Sequence, residues 1–331
     1  MIGLGRIGCE FDLNPNVKFV SSHVGAYLNN PKTKLSTICD LNEKKALKYS
    51  KIFNIEKYFT DYSLMLKNEN LDIISICTWP ESHAKIVETA VNNNVKGIFL
   101  EKPISNSLTD AKKIIKLCKK YNVKLQIDFQ RRFDPIFRNL KNLINQKKLT
   151  DIQTVNIFYG GGINNTGSHI CDLIRYFFGE IETVSGKFSK NKSHLKTDPN
   201  IDGILFCKNG INCNLHSVDY KNFGLVELDI IGKNYRIITD LRDGTSKFYE
   251  KTLPRNGLLY NELIQKELIQ PKQSSSILNG LNNLLESIKN DSIPFSTDYD
   301  GYSSLEIVLG LIKSAKNNGK NVTLHRKKQY V

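Results

Sequence analysis

The sequence is short of several features that would have set its class at once. No apolar run reaches the ~18 residues that a membrane-crossing helix needs, so a transmembrane protein is not expected. The start, Met1-Ile-Gly-Leu-Gly, has neither the charged opening nor the small-residue cleavage site of a secretory leader. The seven cysteines are scattered, odd in number and without a CxxC pair. That spacing offers neither a zinc site nor a disulfide framework, so no metal is expected. A reducing cytoplasm fits such cysteine usage best. No basic stretch is interleaved with aromatics, as a stacking platform for nucleic acid would require. Acidic residues are also scarce, 33 against 47 lysines and arginines, for a net charge of +14. An anionic ligand could use that surplus. Stretches such as Lys113 to Lys120 read instead as polar helix faces, and solvated surface is the simpler account. Internal repeats and low-complexity linkers are missing as well.

What is present is globular: 331 residues, 40% hydrophobic and 24% charged, enough for two ordinary domains. The first ~125 residues alternate short apolar strands at 35–39, 71–77, 95–100 and 123–127 with helical patterns at 43–52, 82–92 and 108–121. Strands alternating with helices of that length imply a doubly wound parallel sheet, with ligands at the carboxyl ends of its strands. After that the texture changes. A strand at 154–159 and a helix at 168–178, stopped by Gly179, lead into strands at 182–188, 203–207, 211–217, 225–231 and 236–240. Turn signals such as Lys208-Asn-Gly210 separate them, and helical segments at 276–290 and 301–318 close the chain. The expectation is an α/β domain over 1–125 and an α+β domain with a mostly antiparallel open sheet over 126–331. The last helix is placed to pack back on the first domain.

Gly3-Leu-Gly5-Arg-Ile-Gly8 fits the GxGxxG pattern and opens the βαβ region, which makes it a Rossmann dinucleotide turn. Its glycines allow a tight turn and close backbone approach to a pyrophosphate, and the helix start faces the phosphates. Gly3, Gly5, Arg6, Ile7 and Gly8 are therefore cofactor-binding candidates. A strand of about five residues should precede Gly3, yet only Met1 and Ile2 do, so the start is expected to be truncated. The acidic ribose ligand is expected ~20 residues after the glycines. Asp40 comes later, because residues 10–19 read as an inserted loop before a helix near 22–28. A carboxylate there accepts bonds from the ribose hydroxyls and repels a 2′-phosphate, which favours NAD. Lys44 and Lys45 nearby keep NADP open.

Further motifs converge. Ile76-Cys-Thr-Trp-Pro-Glu-Ser-His83, Glu101-Lys-Pro103, Arg131-Arg-Phe-Asp-Pro135 and Gly160-Gly-Gly-Ile-Asn-Asn-Thr-Gly-Ser-His169 with Asp172 follow the glycine turn in that order. Over nearly its whole length the chain resembles the Gfo/Idh/MocA oxidoreductases. The resemblance implies hydride transfer between nicotinamide and a hydroxyl carbon of a sugar, nucleotide sugar or cyclitol. It implies Lys102 and His169 as catalytic acid–base groups, and Asn165, Asp172 and Arg132 as substrate-binding groups. It also places Thr78, Trp79, His83 and Glu101 by the cofactor, and implies a homodimer or homotetramer paired through the open sheet. The family commonly has Asp where Asn165 stands. An amide cannot accept a proton, so any relay through that carboxylate is absent here. Two alternatives remain: a non-catalytic NAD- and sugar-binding homologue, and an NAD-dependent glycosidase of the same fold.

Overall fold

Short β-branched runs in the first hundred residues become strands, and capping residues open the helices between them. Asn42 accepts from Lys45 N at the start of Glu43–Ile52, and Ser107 from Asp110 N at the start of Leu108–Lys120. In a computed structural model, residues 1–146, 149–254, 257, 259–268 and 270–324 are described. The chain divides into two compact units, Met1–Asp134 with Gln273–Leu305, and Pro135–Lys272 with the chain from Glu306 onward.

In the first unit, strands Thr37–Cys39 and Lys57–Phe59 pair in parallel, as do Ile73–Ile76, Gly97–Leu100 and Lys124–Ile127. Residues 1–3 join the two groups. Ile2 N donates to Ser75 O and Cys77 N to Ile2 O on one side. Gly3 N donates to Cys39 O and Cys39 N to Met1 O on the other. The slot is thus filled by very few residues, and numbering them as the first strand gives the order 3-2-1-4-5-6 of a dinucleotide-binding sheet. The boundary expected at 125/126 is corrected. The first unit runs on through the 3-10 turn Gln130–Phe133 and reclaims helix Ser276–Lys289. That helix buries Ile277, Leu281 and Leu284 with Phe99 and Tyr27. Gly280 permits the close approach, since a Cβ there would meet Phe99 at 2.8 Å.

The inserted loop has a specific construction. Cys9 N bonds Gly5 O as the first turn of a helix would, and the chain then leaves through the 3-10 turn Glu10–Leu13. Helix His23–Leu28 resumes the ladder: His23 N bonds Ile7 O at 3.0 Å and Val24 N bonds Gly8 O at 2.9 Å. The loop is therefore spliced out of one continuous helix. Asp12 closes it, accepting from Ser21 N and Ser22 N. Its carboxylate occupies the space a Cβ on Gly25 would need.

Among the described residues the second unit holds a sheet of nine strands, in which Ile152–Tyr159 and Asn212–Ser217 pair in parallel and the other pairs are antiparallel. Helix Ser168–Phe178 buries Ile170, Leu173, Ile174 and Phe177 in a core with Val155, Ile157 and Leu215, and Gly179 at φ 90° ends it. No helix among the described residues is long and apolar enough to cross a membrane.

Deleting residues 11–22 turns the His23 and Val24 bonds into ordinary bonds to the fourth residue back. The shortened protein is expected to fold and to keep NADH affinity within about threefold, a helix ladder being preserved. Tm by calorimetry and NADH fluorescence titration check this, and an unfolded product would refute the splice.

Candidate functional site

Within the first unit the glycine turn sits at the carboxyl edge of the sheet. A Cβ on Gly3 would lie 2.8 Å from the Cys77 carbonyl, and one on Gly8 2.3 Å from Gly3 O, so both positions exclude other residues. Gly5 has nothing within 4 Å of its Cβ direction, which leaves its backbone open to a ligand. Among the described residues no acceptor faces the N–H groups of Gly5, Arg6, Ile7 or Gly8. Free N–H groups at a helix start are an anion cradle, and they fit a dinucleotide diphosphate. Asp40, just beyond strand Thr37–Cys39, accepts Leu4 N at 2.8 Å and Asn42 N at 2.9 Å. Its carboxylate thus braces the glycine turn. Glu10, from the spliced loop, pairs with Lys45 at 3.1 Å and accepts the Tyr49 hydroxyl at 2.9 Å. These contacts hold its carboxyl below the usual range even though burial works the other way. Arg6 lies over the Phe11 ring at 4.9 Å.

Strand Ile73–Ile76 leads into Thr78 and Trp79. Thr78 is half-buried with its hydroxyl on Ser82 Oγ, and Trp79 is 77% exposed, so its ring is available at the edge. Lys102 follows strand Gly97–Leu100 and is half-buried. It stands two strands from the glycine turn, on the order of 10 Å at ordinary strand spacing.

Three expected site residues are corrected. His83 is fully buried, with Nε2 on Thr78 O at 3.0 Å and Nδ1 near Ile104 O at 3.2 Å, so it braces backbone instead of touching a cofactor. Burial keeps its pKa below normal. Arg132 is buried on Asp300 at 2.9 Å, a pair inside the first unit, and does not serve as a free substrate group. Glu101 turns inward, with Oε1 on His23 Nε2 at 3.1 Å and Oε2 accepting Lys102 N at 3.3 Å. Burial first, and then Asp128, push its pKa up to about 7. Sequence reasoning missed His23 and Asp128, which meet Glu101 only through the fold. These three are the one described group whose possible metal-ligand atoms lie within 4.8 Å of one another, and the ring's bonds to the two carboxylates account for the spacing.

The second unit carries the other candidates. A π-helical turn, Ile163–Gly167, runs into helix Ser168–Phe178. It places Asn165 and His169 four positions apart on one face, Asn165 exposed and His169 half-buried. Asp172, a turn further along, is buried. The turn is held from outside by Asp198, which accepts Asn164 N at 2.8 Å, Asn164 Nδ2 at 2.9 Å and Asn165 N at 2.9 Å. Asn200 Oδ1 accepts Gly162 N at 2.9 Å. Gly162, at φ 92°, leaves room for Asp198 where a Cβ would collide with it. Asp198 and Asn200 lie in the 190–200 segment, whose irregular sequence gave no pattern to read. Asp198→Ala orphans donors worth ~1 kcal/mol or more each. A loss of about 2 kcal/mol is expected, a fall in Tm of roughly 4–8 °C, with Asp198→Asn milder. Scanning calorimetry checks it.

Known proteins bear on this geometry. The family described as "oxidoreductase family, NAD-binding Rossmann fold" matches residues 1–129, and its "GFO/IDH/MocA C-terminal domain" matches residues 137–238. The chain is 29% identical over 202 residues to the uncharacterized oxidoreductase YrbE of Bacillus subtilis, covering 56% of this chain and about half (55%) of that relative's length. It is 25% identical to scyllo-inositol 2-dehydrogenase (NAD(+)) of Bacillus subtilis, covering 100% of this chain and 97% of the relative. An oxidoreductase from Agrobacterium radiobacter, solved with NAD+, L-tartaric acid and magnesium, superposes with a TM-score of 0.75 at 17% identity, covering 91% of this chain and 94% of the other. With a Rossmann cradle in one unit, a mixed and mostly antiparallel sheet in the other, and both family domains matched in order, the chain belongs to the Gfo/Idh/MocA family of NAD-binding oxidoreductases.

Proposed function

We propose that the protein oxidises, or in reverse reduces, a hydroxyl-bearing carbon of a sugar or cyclitol, with NAD as hydride partner and Lys102 handling the hydroxyl proton. The observation that carries this reading is one sheet edge bearing both the open N–H cradle of Gly5 to Gly8 and Lys102. NAD, when bound, supplies the hydride-accepting carbon of its nicotinamide. The cradle N–H groups bind the diphosphate, and Asp40 holds the ribose hydroxyls. Lys102 Nζ accepts the hydroxyl proton in the oxidative direction and returns it in the reductive one. His169 is the second proton-handling group. Asn165 hydrogen-bonds a substrate hydroxyl through its amide, which neither takes nor gives a proton. Asp172, buried beneath His169, orients its ring. The open sheet face bearing Asn156, Phe158, Asn214 and His216 is assigned to self-association, read by light scattering.

Relatives named for inositol and D-apiose support starting the substrate panel with myo-inositol, scyllo-inositol and D-apiose, followed by sugar phosphates and nucleotide sugars. NADH absorbance scores the panel, and Lys102→Met is the decisive variant. Loss of the acid–base group is expected to lower kcat by at least ~10²-fold with NADH affinity retained. Unchanged turnover would refute the role. Cofactor choice gives a second expectation. Glu10 ties up Lys45, a half-exposed pair worth roughly 1 kcal/mol. Glu10→Ala should therefore raise kcat/KM for NADP+ relative to NAD+ by up to roughly fivefold, measured by steady-state kinetics with both cofactors.

A further inference from the structure

Beneath Lys102, inside the first unit, lies a fully buried polar network that the reaction as proposed does not use. His23 Nε2 sits 3.1 Å from Glu101 Oε1 and 3.5 Å from Asp128 Oδ2. Its Nδ1 meets Ser75 Oγ at 2.9 Å, and Ser75 Oγ meets the Tyr27 hydroxyl at 3.0 Å. The ring also packs edge-on against Phe99, centroids 4.7 Å apart. Three strands and one helix therefore converge on a single imidazole: Ser75 comes from Ile73–Ile76, Glu101 follows Gly97–Leu100, Asp128 follows Lys124–Ile127, and His23 opens His23–Leu28.

Such an arrangement is costly to bury unless each polar atom is matched. Burial alone would discharge the ring, yet Cys77, Asp128 and Glu101 together hold its pKa well above normal. Its Nε2 therefore faces the two carboxyl groups and its Nδ1 faces the Ser75 hydroxyl. Removing it would leave two buried carboxyl groups side by side. Asp128 Oδ1 already has no partner among the described residues. Glu101 is the link outward, because one oxygen is on His23 and the other accepts the backbone N–H of Lys102.

We infer that His23 is a positioning residue for Lys102: its ring clamps the Glu101 carboxylate, which in turn fixes the backbone from which Lys102 projects. This rests on the reading of Lys102 as the proton-handling group. The splice gives the inference its reach, since the inserted loop is threaded so that the helix register carrying His23 into this network is kept.

The test compares the full-length protein with His23→Phe, His23→Gln, Lys102→Met and the His23→Phe/Lys102→Met double variant. Each is assayed with NAD+ and the fastest polyol of the panel, and each is also measured for NADH affinity and Tm. His23→Phe keeps the packing on Phe99 and removes both ring nitrogens. It is expected to lower kcat at least tenfold, with KM and NADH Kd changed by less than about threefold. His23→Gln, which restores a donor, should recover part of the loss. In the Lys102→Met background the second substitution should have little further effect, because both act on one group. A folded His23→Phe with kcat within twofold of the parent overturns the inference, as does an additive double variant. If His23→Phe does not fold, Glu101→Gln decides: unchanged kcat overturns the inference, and a tenfold loss with NADH affinity kept supports it. Normal turnover by Lys102→Met would sink the proposed function instead, and so separates the two failures.

Discussion

Residues 1–3 carry the sheet of the first unit. They are bonded on one side to the chain around Cys39 and on the other to Ser75 and Cys77, so two small parallel ladders become one sheet through them. The constraint at their end is steric. Gly3 lies against the Cys77 carbonyl with no room for a Cβ, and Gly8 lies against Gly3 in the same way. Those two contacts bring the cradle N–H groups to the edge where Thr78 and Lys102 also emerge. Move that short strand and the phosphate cradle, Asp40 and the Lys102 turn lose their common frame.

Much of this was legible in the sequence, and the reasons differ by element. Helix Glu43–Ile52 and helix Ser168–Phe178 coincide with their expected spans, because each has a clear apolar face and a defined stop. Strand Lys57–Phe59, helix Tyr62–Asn68 and the strands Ser246–Thr252 and Glu262–Lys266 have no counterpart in the sequence reading. The strands bury no residue fully and the helix buries only Met65 and Leu66, so burial prints no period on them. The domain boundary was misplaced for another reason: helix Ser276–Lys289 lies more than a hundred residues from the strands it covers, and sequence order does not reveal which core an apolar face joins. At the site, glycine spacing and Glu101-Lys-Pro103 were readable as motifs. The inward turn of Glu101 was not, because its partners His23 and Asp128 carry no local pattern.

The irregular turns that hold the candidate residues share one device. Asp40 braces the glycine turn through Leu4 N, Asp12 closes the spliced loop on Ser21 N and Ser22 N, and Asp198 holds the π-helical turn through Asn164 N and Asn165 N. At these three places a carboxylate takes up freed N–H groups, the strongest acceptor available for them. This bears on the charge balance. Acids are the scarce side of this chain, and several are committed to backbone or to buried partners. Surface pairs such as Lys96 with Asp72 and Lys113 with Glu88 use others. The surplus of +14 is then carried largely by lysines on exposed helix faces such as that of Leu108–Lys120. What the scarce acids do is fix backbone and buried partners, not balance that surface.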